Sequence, residues 1–186
     1  MKNHLLTACL YTIVTALLLG VAYPLAITGL AQLTMRNKAN GQLITRDGQL
    51  IGSALIGQPF TGDAFFHSRP SAAGTGYDAS ASSGSNFGPT NKLLIDRVNS
   101  SVAGEKSSSA VPVDLVTASG SGLDPDITPA AALYQAPRIA QQRHLSQTAV
   151  EALIRDHTTP RQFGLLGEPR VNVLSLNLAL RTLAPQ

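Results

Sequence analysis

The sequence predicts an α+β protein: a single N-terminal transmembrane helix followed by one compact mixed α/β domain with long Gly/Ser-rich loops. Three observations carry that expectation. Residues 5–35 contain no Asp, Glu, Lys or Arg, although the 186-residue chain has 14 Lys and Arg and 11 Asp and Glu. Beyond them, short stretches of period-two and period-3.6 hydrophobicity alternate. Between those stretches lie strings of Gly, Ser, Ala, Asn and Pro. Composition also excludes several classes. A formal charge of +3 without any Lys/Arg cluster is not the electrostatic footprint of a nucleic-acid binder. At 44% apolar residues the chain is not disordered as a whole. One Cys permits neither an intramolecular disulfide nor a Cys-based zinc site.

The first element is the span. Residues 5–27 form its core, 23 residues that at about 1.5 Å each cross a hydrocarbon layer of about 30 Å with some tilt. A lone segment in lipid satisfies its backbone only as a helix. Tyr23 suits a headgroup layer, and Pro24 predicts a kink or an end. Gly29, Leu30 and Ala31 resemble a signal-peptide cleavage site, but the apolar stretch exceeds the usual roughly 7–15 residues. An uncleaved anchor over residues 1–35 is therefore expected, with the domain over 36–186. Thr12, Ala16 and Gly20, spaced by four, would let a partner helix approach. Lys2 before the span and Arg36, Lys38 and Arg46 after it lean slightly toward a cytoplasmic domain.

Residues 36–49 read as a polar exit with turns at Asn40-Gly41 and Asp47-Gly48. Residues 50–57 predict a short strand. Phe60, Phe65 and Phe66 predict a small apolar centre. Residues 71–85 hold twelve Ala, Ser or Gly in 15 positions and predict an exposed or pinned loop. Leu93, Leu94, Val98 and Val102 share a helical face beginning after Pro89 or Thr90. Residues 111–116 alternate as a strand, with Pro112 at its start or edge. Thr128-Pro129 predicts a helix N-cap, and Pro137 predicts a break in that helix. Ser146 predicts a second cap, before a helix burying Val150, Leu153 and Ile154. The series Leu176, Leu178 and Leu180 favours a terminal strand, although helix remains open.

The reactive groups are scattered. His67, His144 and His157 lack metal-ligand spacing. Asp124 and Asp126 suit either a cation or, better, a turn. There is no GxxxxGK[ST] loop, and Ser119 lacks a hydrolase elbow. An anchored hydrolase using Ser119 or His67 is a remote alternative. The residues alone describe an anchored accessory domain, not an enzyme.

Four strings go further. AFFHSRPS at 64–71, GSNFGPTN at 84–91, VDLVTASGSGLDP at 113–125 and LGEPRVNVL at 166–174 follow one N-terminal span. In this order they resemble the C subunit (KdpC) family of the Kdp potassium-transporting ATPase, over essentially the whole chain. The resemblance implies a single-pass subunit in the bacterial inner membrane whose large domain is extracytoplasmic, in the periplasm. It implies three protein partners besides the lipid bilayer: a channel-like potassium-binding subunit, a P-type ATPase subunit and a small stabilising subunit. No nucleic acid and no metal are implied. Potassium is the substrate of the complex and ATP is reached through it. The implied role is assembly of the import complex; the alternative is a catalytic chaperone that raises the ATPase subunit's affinity for ATP, for which Gln135 and Arg138 lie in a matching region. The matching strings nominate Arg69, Asn86, Asn91, Asp124 and Arg170 for partner contact. The two Arg, each beside Pro, either brace the fold itself or meet the channel-like subunit.

Overall fold

A computed structural model describes residues 2–105 and 109–183. The chain divides into two units, Met1–Ile51 and Gly52–Gln186.

The first unit begins with α1 (Lys2–Leu17) and α2 (Tyr23–Thr34), joined by a π-helical turn at Leu18–Ala22. Together they make a 33-residue apolar helix, none of its most apolar window buried and long enough to cross a membrane. Pro24 does not end it. Proline cannot donate to the carbonyl four residues back, and the turn just before it widens so that Tyr23 N donates to Leu18 O. Thr7, Thr15 and Thr34 turn their hydroxyls back onto the carbonyls of Asn3, Tyr11 and Leu30, each at 2.8 Å, which leaves those groups paired on an apolar helix. After the short α3 (Arg36–Ala39) comes a hairpin of β1 (Leu43–Arg46) and β2 (Gln49–Ser53). Asp47 and Gly48 turn it with φ of 51° and 76°, the left-handed pair that matches strand twist. The polar exit thus contains a strand, and the one expected at 50–57 is shorter and displaced toward the turn.

The second unit adds α4 (Lys92–Gly104), capped by Asn91, whose side chain accepts from Leu93 N at 2.9 Å. Leu94 and Val98 lie on its half-buried side, whereas Leu93 and Val102 are exposed. The centre is β3 (Asp126–Ile127), α5 (Pro129–Arg143), α6 (Gln147–Asp156), β4 (Thr158–Thr159), β5 (Arg170–Asn172) and α7 (Val173–Leu183). The sheet is antiparallel in the order β3-β5-β4, with Ile127 and Thr158 both opposite Val171. Phe66, Ile127, Ile139, Val150, Ile154, Val171, Leu176 and Leu180 form the buried cluster.

Thr128 and Ser146 cap α5 and α6 as expected, accepting from Ala131 N and Ala149 N. Three expectations are corrected. Residues 111–116 form no strand among the described residues; Val113–Leu115 is a 3₁₀ turn. Thr117 N and its hydroxyl both bond Val113 O, and adjacent Leu115 and Val116 are buried together, which departs from the alternation of a half-buried strand. Pro137 does not break α5, which runs through it. The carbonyl it leaves without a helical partner belongs to exposed Leu133, while Ala136, Ile139 and Ala140 are buried on the opposite side. The terminal leucines are helical. Val173, Leu176, Asn177 and Leu180 are buried at helical spacing, and the period-two set loses half-exposed Leu178.

Candidate functional site

Segment 63–67 has no helix or strand, so its backbone polar groups need partners elsewhere. Side chains of α5 and α7 supply them. Asn177 Oδ1 accepts from Phe66 N at 2.8 Å and its Nδ2 donates to Phe66 O at 3.0 Å. Gln135 does the same for the next residue, accepting from His67 N at 2.7 Å and donating to His67 O at 3.2 Å. Arg138 donates to Asp63 O and Phe65 O, and Arg143 Nε to Ala64 O at 2.7 Å. The Arg143 guanidinium also lies 5.1 Å from the Phe65 ring centroid. Gln135 and Arg138 are thereby engaged within the domain's own structure.

The Gly/Ser loop is pinned rather than loose. Ser71 Oγ donates to Gly122 O at 2.6 Å, and Ser83 N to Ser121 O at 2.9 Å. Arg97 of α4 adds a bond to Ser71 O at 2.9 Å. A Cβ on Gly122, where φ is +66°, would stand 2.5 Å from Ser83 O and 2.7 Å from Ala73 N. Only glycine allows that approach. Asn86 is exposed with φ of 53°, its amide 3.4 Å from Ser83 Oγ. Ser119 Oγ accepts from Gly122 N at 2.9 Å, and the His67 ring bonds Gly62 O. Both nominal hydrolase groups therefore make turn contacts.

Arg69, Asp124 and Arg170 do come together, around an open groove of about 260 Å³ lined also by Asp114, Asp126, Glu168 and Pro169. Arg69 pairs with Asp124 at 3.1 Å and reaches Thr117 O at 3.4 Å. Arg170 pairs with Asp126 at 3.0 Å. Asp124 Oδ1 accepts from Asp126 N, the expected turn. Asp114 accepts from Thr128 N at 2.7 Å, tying the 3₁₀ turn to the α5 cap. The groove is acidic by one charge: Asp124 and Asp126 pair with its two guanidiniums, Glu168 pairs with Arg161 beside it, and Asp114 has no cationic partner among the described residues. Burial pushes the Asp126 carboxyl above its ordinary range; the Asn172 amide and Arg170 oppose this, and the Asp124 charge adds to it. No group of three or more His, Cys, Asp or Glu among the described residues is arranged for a metal. Asn86 and Asn91 lie apart from the lining.

Sequence reasoning paired Asp126 with Asp124 as a turn, but missed Asp114 and Glu168 as lining residues and Asn177 as the partner of Phe66. It also passed over Phe163-Gly164-Leu165, which with Leu166 at the head of the fourth string makes an apolar run whose large side chains are all exposed.

The family model described as K+-transporting ATPase, c chain (KdpC) matches residues 5–182. The potassium-transporting ATPase KdpC subunit of Acidobacterium capsulatum is 65% identical over 179 residues, covering 96% of this chain and 97% of the relative. Its counterpart in Koribacter versatilis is 57% identical over 183 residues, covering 97% and 95%. That of Mycobacterium tuberculosis is 53% identical over 186 residues, covering 97% and 98%. With its four diagnostic strings folded against one another behind one apolar helix, the chain belongs to the KdpC family of potassium-transporting ATPase subunits.

Proposed function

We propose that this chain is a non-catalytic assembly subunit of an ATP-driven potassium importer. Its apolar helix anchors it in the bacterial inner membrane, and its periplasmic domain docks on the channel-like and P-type ATPase subunits, with the small subunit completing the complex. One observation carries the reading. The helix of Lys2–Thr34 offers an unburied apolar surface, whereas the reactive side chains of the matching strings are engaged in holding the domain's own loops and turns. Such a chain is built to bind neighbours, not to transform a substrate. The chaperone reading has less support, because Gln135 and Arg138 hold the backbone of residues 63–67.

The test is purification of the transporter with and without this chain, followed by potassium-stimulated ATP hydrolysis. Loss of assembly supports the reading. Full assembly with a weaker apparent ATP affinity would favour the chaperone role, and unchanged assembly and kinetics would remove both. Orientation is tested by a Gly104→Cys substitution in a Cys9→Ser background. Labelling by an impermeant thiol reagent before the inner membrane is permeabilised is expected.

A further inference from the structure

Residues 161–167 fold into a small prong on the second unit. Gln162 N donates to Leu166 O at 2.8 Å and Leu166 N returns a bond to Gln162 O at 2.9 Å, a closed antiparallel bridge. Gly164 N reaches Arg161 O, and Arg161 pairs with Glu168 at 2.6 Å across the base. The tip presents Phe163, Leu165 and Leu166, which are 84%, 80% and 60% exposed. Phe163 itself has φ of +54°, a left-handed conformation that a bulky side chain adopts only at a cost. A single exposed apolar residue needs no explanation, but three on one internally bonded turn make a preorganised apolar patch.

Charge distinguishes the occupants. A loop that enters a bilayer gains from unpaired cations beside its apolar tip, since headgroups are anionic. Here Arg161 is held by Glu168, and Glu168, Pro169 and Arg170 lead directly into the acidic groove. Of the four carboxylates there, Asp124 and Asp126 are paired with Arg69 and Arg170 and Glu168 with Arg161, which leaves the Asp114 charge in surplus. That surplus repels anionic lipid. A second copy meeting the prong symmetrically would oppose its own acidic groove to itself. A protein surface bearing a cation is complementary.

We propose that Phe163, Leu165 and Leu166 seat in an apolar recess of another protein subunit of the transporter, one presenting a Lys or Arg to the adjacent acidic groove. This rests on the assembly reading and names the surface through which the folded domain contributes to it. Exposed aromatic and leucine side chains that become fully buried act as interface anchors, and the groove supplies orientation and salt dependence.

The test uses the full chain co-expressed with the other transporter subunits. A photoreactive phenylalanine analogue replaces Phe163, and adducts formed in native membranes are identified by mass spectrometry. An adduct with a transporter subunit, on a peptide holding apolar residues beside Lys or Arg, is expected. An adduct with phospholipid, with a second copy, or with nothing while the complex is assembled overturns the proposal. In parallel, F163S/L165S/L166S should weaken association with the remaining subunits at least about tenfold while leaving the circular dichroism unchanged. D114N, whose amide oxygen still accepts from Thr128 N, should weaken it about threefold and flatten its salt dependence. Unchanged association in both variants overturns the proposal while leaving the assembly reading intact. Failure of the native chain itself to co-purify removes both.

Discussion

Replacing Asn177 with Ala should strongly destabilise the domain. Asn177 is 2% exposed and Phe66 is fully buried, so water cannot replace either bond that Asn177 makes to the Phe66 backbone. Each group left unpaired in such a place costs about 1–3 kcal/mol. With one donor and one acceptor abandoned, the loss is about 2–6 kcal/mol, against a total stability of about 5–15 kcal/mol for an ordinary domain. Taking about 4 kcal/mol and a urea slope of about 2 kcal/mol/M, the unfolding midpoint of the full chain in detergent should fall by about 2 M. Hydrogen exchange adds a local signature. Phe66 N–H and His67 N–H should be protected in the native chain, and both should exchange faster in Asn177→Ala, since Gln135 holds His67 within the same segment. A midpoint shift below about 0.3 M, or unchanged exchange at residues 63–67, would refute the idea that side-chain amides stand in for a missing strand partner.

Asp126 supplies a pH-dependent test. Its carboxyl is raised mainly by burial, so the stability it contributes is fully present below its unfolded pKa and is lost as pH rises through the folded value. Asp126→Asn should therefore gain stability relative to the native chain as pH rises above about 4, read as diverging urea midpoints; parallel curves would contradict the burial argument. Gly122→Ala should destabilise by about 2 kcal/mol or more through its contacts with Ser83 O and Ala73 N, and limited proteolysis should then cut within residues 71–85. Pro137→Ala should restore a donor to Leu133 O and raise stability by about 1–2 kcal/mol, since proline's restriction of the unfolded chain offsets part of the roughly 3 kcal/mol helix penalty. An unchanged or lower midpoint would show that Leu133 O has no use for that donor.

Local signals were legible and tertiary ones were not. Thr128-Pro129 and Ser146 mark helix starts because the cap bonds lie within three residues. Val150, Leu153 and Ile154 announce their face through spacing alone. Residues 113–116 failed because, besides the local bonds of Thr117 to Val113 O, they are held by Asp114 accepting from Thr128 N, 14 residues on. The hairpin at Asp47-Gly48 carried its turn signal, but Leu43-Ile44-Thr45-Arg46 is too short and too exposed to read as a strand. For the site, Arg69 and Arg170 stood out beside their prolines. Asp124 and Asp126 stood out too, as a turn, but their pairing with those Arg did not, since Asp124 lies 55 residues from Arg69, just as Asn177 lies 111 from Phe66.

The matching strings also invite a particular error, that of equating a diagnostic residue with a partner contact. Gly122 is required because Ser83 and Ala73 come within reach of its missing side chain, and a Cβ on Gly84 would lie 3.1 Å from Gly120 O. Ser71 donates to Gly122 O, and Asn91 caps α4. These small residues are specific because two loops must close on each other. Loops locked in that way offer few free polar groups to a neighbour. The exposed apolar surface is the reverse in composition: it includes the open helix, Leu93, Ile95 and Val102 of α4, and the turn at Phe163, Leu165 and Leu166, where the fold holds large side chains away from its own core. In a chain of this kind, many residues of the strings that identify the family serve self-closure, and exposed apolar residues such as Phe163, Leu165 and Leu166 are where partner contact is to be sought.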